Sequence, residues 1–225
     1  MELSLARRAE SLRQSEIRSM TSRSVARGGV NLSQGLCDLP TPEVVKAAAC
    51  AAITDDNNTY APLNGKRRLR ELIAEKLKWF NGIQADPEKE ITVASGATGA
   101  YTCALLALLD SGDRVLNFEP FYGYHVNLIR LLGFEPVFFR LEQPGWKIDL
   151  DGLEKKLAEG VRAVVINTPA NPSGKVFTAR SWPLWVNSAK NTEYGSSQMK
   201  STSTSRSGAA GMSVSPPCRG CSAAP

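Results

Sequence analysis

Asn167-Thr168-Pro169-Ala170-Asn171-Pro172-Ser173-Gly174 follows a short apolar strand that runs to Ile166. Pro169 and Pro172 lock φ and carry no N–H, so neither a helix nor a central strand continues through them. Each also pushes the residue before it into extended geometry. The product is a stiff loop at the carboxyl end of a strand. Asn171 is held between constrained neighbours and presents both a donor and an acceptor. Such a loop is either a strand-to-helix connection or part of a site, and the stretch alone does not choose.

Upstream of it, strands and helices alternate. The spacing predicts strands over 91–94, 114–118, 136–141 and 161–166, and helices over 95–109, 121–132 and 150–158. Regular alternation of this kind builds βαβ units. The expected fold is therefore α/β, a mostly parallel sheet sandwiched by helices, with an N-terminal helical arm over 2–19. Residues 22–29 read as a basic linker and 30–35 as a short strand ending in glycine. Helices are expected over 43–53 and 65–80, the latter amphipathic through Leu69, Leu72, Ile73, Leu77 and Phe80. The organisation read from this is an N-terminal helix and linker over 1–30, an incomplete large domain over 31–178, and a Ser-rich, disordered tail over 179–225. That tail holds little apolar periodicity and eleven serines, too little to build a core.

Composition excludes several classes. The net charge is +5, but four of those charges fall beyond Ala179, and no basic stripe is interleaved with aromatics. That leaves no electrostatic footprint for nucleic acid. The five cysteines form no paired framework, and Cys218 with Cys221 is a single CxxC without a second pair or histidines. No metal site is expected. Residues 1–20 are charged throughout and the apolar run 100–109 is too short to span a bilayer, so neither a signal peptide nor a membrane segment is expected. A reducing cytoplasm is the default.

Three loops leave the carboxyl ends of the predicted strands: 95–99, 119–124 and 167–174. In parallel sheets ligands bind at those ends. Gly96, Ala97 and Thr98 open a helix, where free N–H groups and the helix dipole favour an anion. A small-residue strand-to-helix turn is the competing reading, because neither a P-loop nor GxGxxG is present. Tyr122 and Tyr124 flank Gly123, placed to cover a planar ligand or to pack at the rim. His125, the only histidine, reads as structural.

The combination of Ser33-Gln34-Gly35, Tyr60-Ala61-Pro62-Leu63-Asn64-Gly65 with Leu69-Arg70, Ser95-Gly96-Ala97-Thr98, Glu119-Pro120-Phe121-Tyr122 and Asn171-Pro172-Ser173-Gly174 resembles the class I/II aminotransferases. These are fold-type I enzymes dependent on pyridoxal 5′-phosphate. The resemblance covers about 31–178 and implies a homodimer that moves an amino group from an L-amino acid to a 2-oxo acid. It implies that Gly96, Ala97 and Thr98 hold the cofactor phosphate and that Tyr122 stacks on the pyridine ring. Asn171 would meet the ring's phenolic oxygen, Tyr60 the phosphate of the partner subunit, and Gly35 the carboxylate end of the substrate.

The family's Asp-Glu-x-Tyr motif, its Schiff-base lysine with Ser-x-Ser-Lys, and its carboxylate-binding arginine do not follow the Asn-Pro-x-Gly loop here. Lys175, Lys190 and Lys200 lack that context, so no catalytic residue is assigned and the chain as written is expected to be inactive. Read in a neighbouring frame, 178–205 is able to encode a helix, a glycine stop, an apolar strand and Asp-Glu-Ile-Tyr. The chain is therefore expected to be truncated and frameshifted after about Thr178. A non-catalytic remnant that binds the cofactor phosphate, or another fold-type I lyase or synthase, are the alternatives.

Overall fold

Val115, Leu116 and Phe118 alternate along β1 (Arg114–Glu119) and are all buried. A strand buried on both faces needs a layer on each side. On one face Val115 joins Leu105 of α5 (Gly96–Leu108), Ile129 of α6 (Gly123–Leu131) and Ala163. On the other, Leu116 and Phe118 join Ile166 and Leu153 and Leu157 of α7 (Leu150–Ala158). The computed structural model describes residues 4, 6–10, 12–13, 15–35, 37–177, 197–202 and 209–214. Contacts divide the chain into two units, Met1–Arg13 with Ala97–Pro225, and Gln14–Gly96.

In the first unit β1 pairs in parallel with β2 (Glu135–Arg140) on one side and β3 (Val161–Thr168) on the other. The chain leaves β1 through α6 to β2, then returns through α7 past β1 to β3. This reversal of direction puts a topological switch point between the carboxyl ends of β1 and β3. The short helix α1 (Arg7–Glu10) is followed by Arg13, whose backbone N–H donates to Asn127 Oδ1 (3.4 Å) and whose carbonyl accepts from Asn127 Nδ2 (2.9 Å).

The Gln14–Gly96 unit is helical: α2 (Glu16–Ala26), α3 (Glu43–Thr54) and α4 (Arg67–Asn81). Before α4, Gly65 has φ +94°, and a Cβ there would meet Val93 Cγ2 at 2.6 Å. Only glycine suits that backbone. The nearby loop is tied by Val93 N–H donating to Asn64 O (3.1 Å).

Several expectations differ from the structure. The predicted helix over 2–19 is two helices, α1 and α2, and α2 continues to Ala26 through most of the expected linker. Arginine is a good helix former, and a basic composition does not by itself stop a helix. The predicted strand over 30–35 is irregular: Asn31 Oδ1 accepts from Ser33 N (3.1 Å) and Ser33 Oγ (2.7 Å). Such local side-chain bonding competes with a strand ladder. Residues 91–94 form no strand, although Ile91 is buried. Within the expected disordered tail, two segments are strands, β4 (Ser197–Thr202) and β5 (Ala209–Val214). β5 lies antiparallel to β3 and β4 antiparallel to β5, which completes the order β2-β1-β3-β5-β4. An open β3 edge offers unpaired N–H and C=O groups to any chain that can reach it, whatever its side chains. The rest of the tail, with Lys190 and most of the displaced-frame reading of 178–205, lies outside the described residues.

Candidate functional site

The proline-rich loop closes on itself after β3. Gly174 N–H donates to Ala170 O (2.7 Å), Ala170 N–H donates to Lys175 O (2.8 Å), and Phe177 N–H donates to Thr168 Oγ1 (3.0 Å). These bonds fix the turn and leave Asn171 exposed at its tip. Lys175 Nζ donates to Gly145 O (2.9 Å).

Across from this turn, the segment after β1 carries Pro120, Phe121 and Tyr122. Tyr122 has extended backbone at the N-cap of α6 and is 37% exposed. Its ring stands 5.2 Å from Tyr124 and meets His125 edge-on at 5.3 Å. Between the two loops lies a shallow, solvent-open cleft. Its walls include Tyr122, His125, Asn167 and Asn171, and its depth is formed by Asn117, Phe118 and Val165. The cleft thus sits at the carboxyl ends of β1 and β3, at the switch point, as such sheets favour. Two candidates separated by a long stretch of sequence, Tyr122 and Asn171, line it together.

The second turn of α5 reaches His125, a wall residue of the cleft, through one ring contact. Tyr101, within α5, lies 4.9 Å from His125. Gly96, Ala97 and Thr98 are exposed at the helix start, where the first N–H groups have no intrahelical acceptor. Gly96 has φ +68° and open space where a Cβ would stand. Gly35 and Tyr60 belong to the Gln14–Gly96 unit. Tyr60 is fully exposed there, and Gly35 is also exposed.

Asn117 was not singled out from the sequence. It is 2% exposed, on a central strand, and its Nδ2 donates to Val115 O (3.0 Å). The available signal was an asparagine inside the otherwise apolar Val115-Leu116-Asn117-Phe118, against strand propensity. Phe118 and Phe177, 5.7 Å apart, form further apolar wall. Among the described residues that line the cleft there is no carboxylate and no lysine or arginine.

Burial lowers the pKa of His125 below the ordinary histidine value and raises that of the Tyr101 hydroxyl, which has no hydrogen-bond partner. For His125 the unfolded chain takes up a proton as the pH falls below about 6.5, before the folded chain does. This contribution to stability is complete above that pH and is lost as the pH falls toward the folded-state pKa. As His125 is the only histidine, His125→Phe is expected to flatten the stability loss between about pH 7 and pH 5. Urea unfolding at each pH measures it; an unchanged pH dependence in the variant would assign the loss to carboxylates.

A family model described as aminotransferase class I and II matches residues 27–191, a span somewhat wider than the motifs. Methionine aminotransferase of Escherichia coli (strain K12) is 36% identical over 157 residues, 69% of this chain and 41% of that protein. Aspartate aminotransferase of Pyrococcus abyssi is 38% identical over 149 residues, 66% of this chain and 38% of that protein. The chain thus spans less than half the length of these curated relatives. Among solved structures, YbdL from Escherichia coli, reported with a methionine aminotransferase function, superposes with a TM-score of 0.79 at 30% identity, covering 84% of this chain and 50% of that one. N-Succinyldiaminopimelate aminotransferase from Mycobacterium tuberculosis gives a TM-score of 0.77 at 32% identity, covering 83% and 49%.

Proposed function

Because this chain belongs to aminotransferase class I and II, a family dependent on pyridoxal 5′-phosphate, we propose that its cleft binds that cofactor reversibly and without turnover. The observation that carries the proposal is the meeting of Tyr122 and Asn171 in one cleft at the switch point between β1 and β3. The residues present fit the group. Tyr122 offers an aromatic face to a flat ring, and Asn171 offers a donor and an acceptor at the rim. The exposed N–H groups of Gly96, Ala97 and Thr98 suit a phosphate. Asn117 adds a buried amide at the base.

When bound, the cofactor supplies an electron sink for reactions at an amino acid's α-carbon. The chain's own part is to bind and orient it. The apolar faces of Phe118, Phe121 and Phe177 exclude water from one side of the cleft, while the closed 170–175 turn holds Asn171 still. Reversible rather than covalent binding is supported by the neutral walls and by Lys175, whose ammonium is engaged with Gly145 O.

The family's full activity is transfer of an amino group from an L-amino acid to a 2-oxo acid in a homodimer. In this reading Gly35 receives the substrate carboxylate, and Tyr60 reaches the phosphate held by a second copy. A reducing, cytoplasmic setting fits the free, exposed Cys37, Cys50 and Cys103. No described helix is long and apolar enough to cross a membrane.

Titration of the full chain with pyridoxal 5′-phosphate, followed by fluorescence, tests the proposal. Saturable quenching, reversed by dialysis, is expected. Tyr122→Ala should weaken binding by about three- to tenfold through loss of one stacked ring. Absence of saturable binding, or a borohydride-stable adduct found by mass spectrometry at Lys175, would overturn it.

A further inference from the structure

Three hydrogen bonds meet at Lys175. Its carbonyl accepts from Ala170 N–H (2.8 Å), its own N–H donates to Ser173 Oγ (3.3 Å), and its ammonium donates to Gly145 O (2.9 Å), 30 residues back in the chain. The first two belong to the turn that carries Asn171, and the third leaves it. Gly145 sits in a hairpin that follows β2, closed by Glu142 N–H donating to Lys147 O and Lys147 N–H donating to Glu142 O, both at 2.9 Å. That hairpin is anchored. Trp146 packs against the core cluster that contains Leu141 and Leu153, and Leu141 N–H donates to Glu119 O (3.1 Å) at the end of β1. The turn itself is unevenly stiff. Pro169 and Pro172 restrain its entry, whereas its exit, Ser173-Gly174-Lys175, has no proline and includes Gly174 at φ +69°. Glycine gives that half the widest choice of backbone conformations. The ammonium tie acts on the half that the prolines leave loose.

We propose that Lys175 is a positioning residue, whose ammonium holds Asn171 ready for a ligand by pinning the exit of the turn to the hairpin 142–147. The proposal rests on the reading of the cleft as a pyridoxal phosphate site and adds to it the residue that keeps its rim in place. Among the described residues, Ala170, Asn171 and Phe177 line the cleft and Lys175 does not. Lys175 therefore acts through the turn and not by touching the ligand. A loop that must be ordered at the moment of binding lowers affinity, and a loop ordered beforehand escapes that loss. A hydrogen bond from a charged donor is roughly twice as strong as a neutral one, which lets a single side chain hold an exposed turn. The acceptor is a main-chain carbonyl, so the tie asks only for a long cation at 175.

Hydrogen exchange on the ligand-free full chain reads the tie directly. Lys175→Met keeps the length of the side chain and removes its charge. The amides of Ala170 and Gly174, both donors inside the turn, should exchange about three- to tenfold faster in that variant, with those of β1 unchanged. Lys175→Arg offers a long cation to the same carbonyl and should restore most of the protection. Lys175→Gln, shorter and neutral, serves if the methionine variant fails to fold. Titration with pyridoxal 5′-phosphate at low and high salt then reads the consequence. Lys175→Met should weaken binding by about three- to tenfold at both. It should change nothing in a chain that already carries Asn171→Ala, because the tie acts through that residue. No change at Ala170 and Gly174, or faster exchange spread equally over β1, would overturn the tie. A binding loss that disappears at high salt would make Lys175 a distant charge attracting the phosphate; a loss of equal size beside Asn171→Ala would make it act elsewhere. Either result overturns the positioning role. Wild-type binding that Lys175→Met leaves unchanged overturns only the part given to Lys175, whereas a wild type that binds no pyridoxal phosphate overturns the cofactor reading and this role with it.

Discussion

Arg70→Met lowers the unfolding free energy of the Gln14–Gly96 unit by about 3–5 kcal/mol, the expected result of removing a buried guanidinium from its acceptors. Arg70 is 4% exposed. Its Nε donates to Gly65 O at 3.2 Å, Nη1 donates to Pro87 O, and Nη2 meets Glu88 Oε2 at 3.3 Å. It therefore joins the start of α4 to the segment that follows it. Methionine preserves length and packing but leaves two carbonyls without their donor. The ion pair itself contributes little, since the Glu88 side chain is 49% exposed and such a pair is screened by water. Glu88→Gln should therefore cost no more than about 1 kcal/mol. Lysine at 70 should rescue only in part, because a single ammonium does not reproduce the planar fork. Urea unfolding, with hydrogen exchange read on α4 peptides, checks the set. A Glu88→Gln loss as large as that of Arg70→Met would show that the ion pair, not the carbonyl clasp, holds the unit.

Leu105→Ala is expected to cost about 2–5 kcal/mol, against less than about 0.5 kcal/mol for the adjacent Leu106→Ala. Leu105 is fully buried against the sheet with Val115, Ile129 and Ala163. Truncation there removes three carbons and opens a void between α5 and the strands that cannot close without moving the helix. Leu106, one residue on, is 58% exposed and loses no packing. The first change should also weaken ligand binding, because α5 supports the ring stack from Tyr101 through His125 to Tyr122. Equal losses at 105 and 106 in chemical unfolding would mean that α5 packs on a different face in solution.

These two sites also mark what was and was not legible. Arg70 entered the sequence reading only as part of a motif; its burial depends on acceptors at Gly65 and on Pro87 and Glu88, which local pattern does not bring together. Helix α5 was located correctly, but Gly96-Ala97-Thr98-Gly99-Ala100-Tyr101-Thr102-Cys103-Ala104-Leu105-Leu106 and the residues after it are nearly all small or apolar. A stripe cannot be read where no polar face contrasts with it. Only contact with β1 and β3 distinguishes Leu105 from Leu106.

The amino-acid sequence by itself determined the alternation of strands and helices over 114–168, the three loops at strand ends and the family. Proline, glycine and apolar spacing act through local backbone sterics and short-range burial, and these are written residue by residue. Tertiary structure alone decided that Tyr122 and Asn171 share a cleft, that Asn117 lies at its base, and that β5 takes the free edge of β3. Each of these depends on which segments meet across the sheet. For β5 the bonds are made by backbone groups that every residue carries, so no side-chain pattern announces them. The loop 167–174 stands at the junction of the two. Its stiffness was legible in its prolines, and its direction came from the strand beneath it.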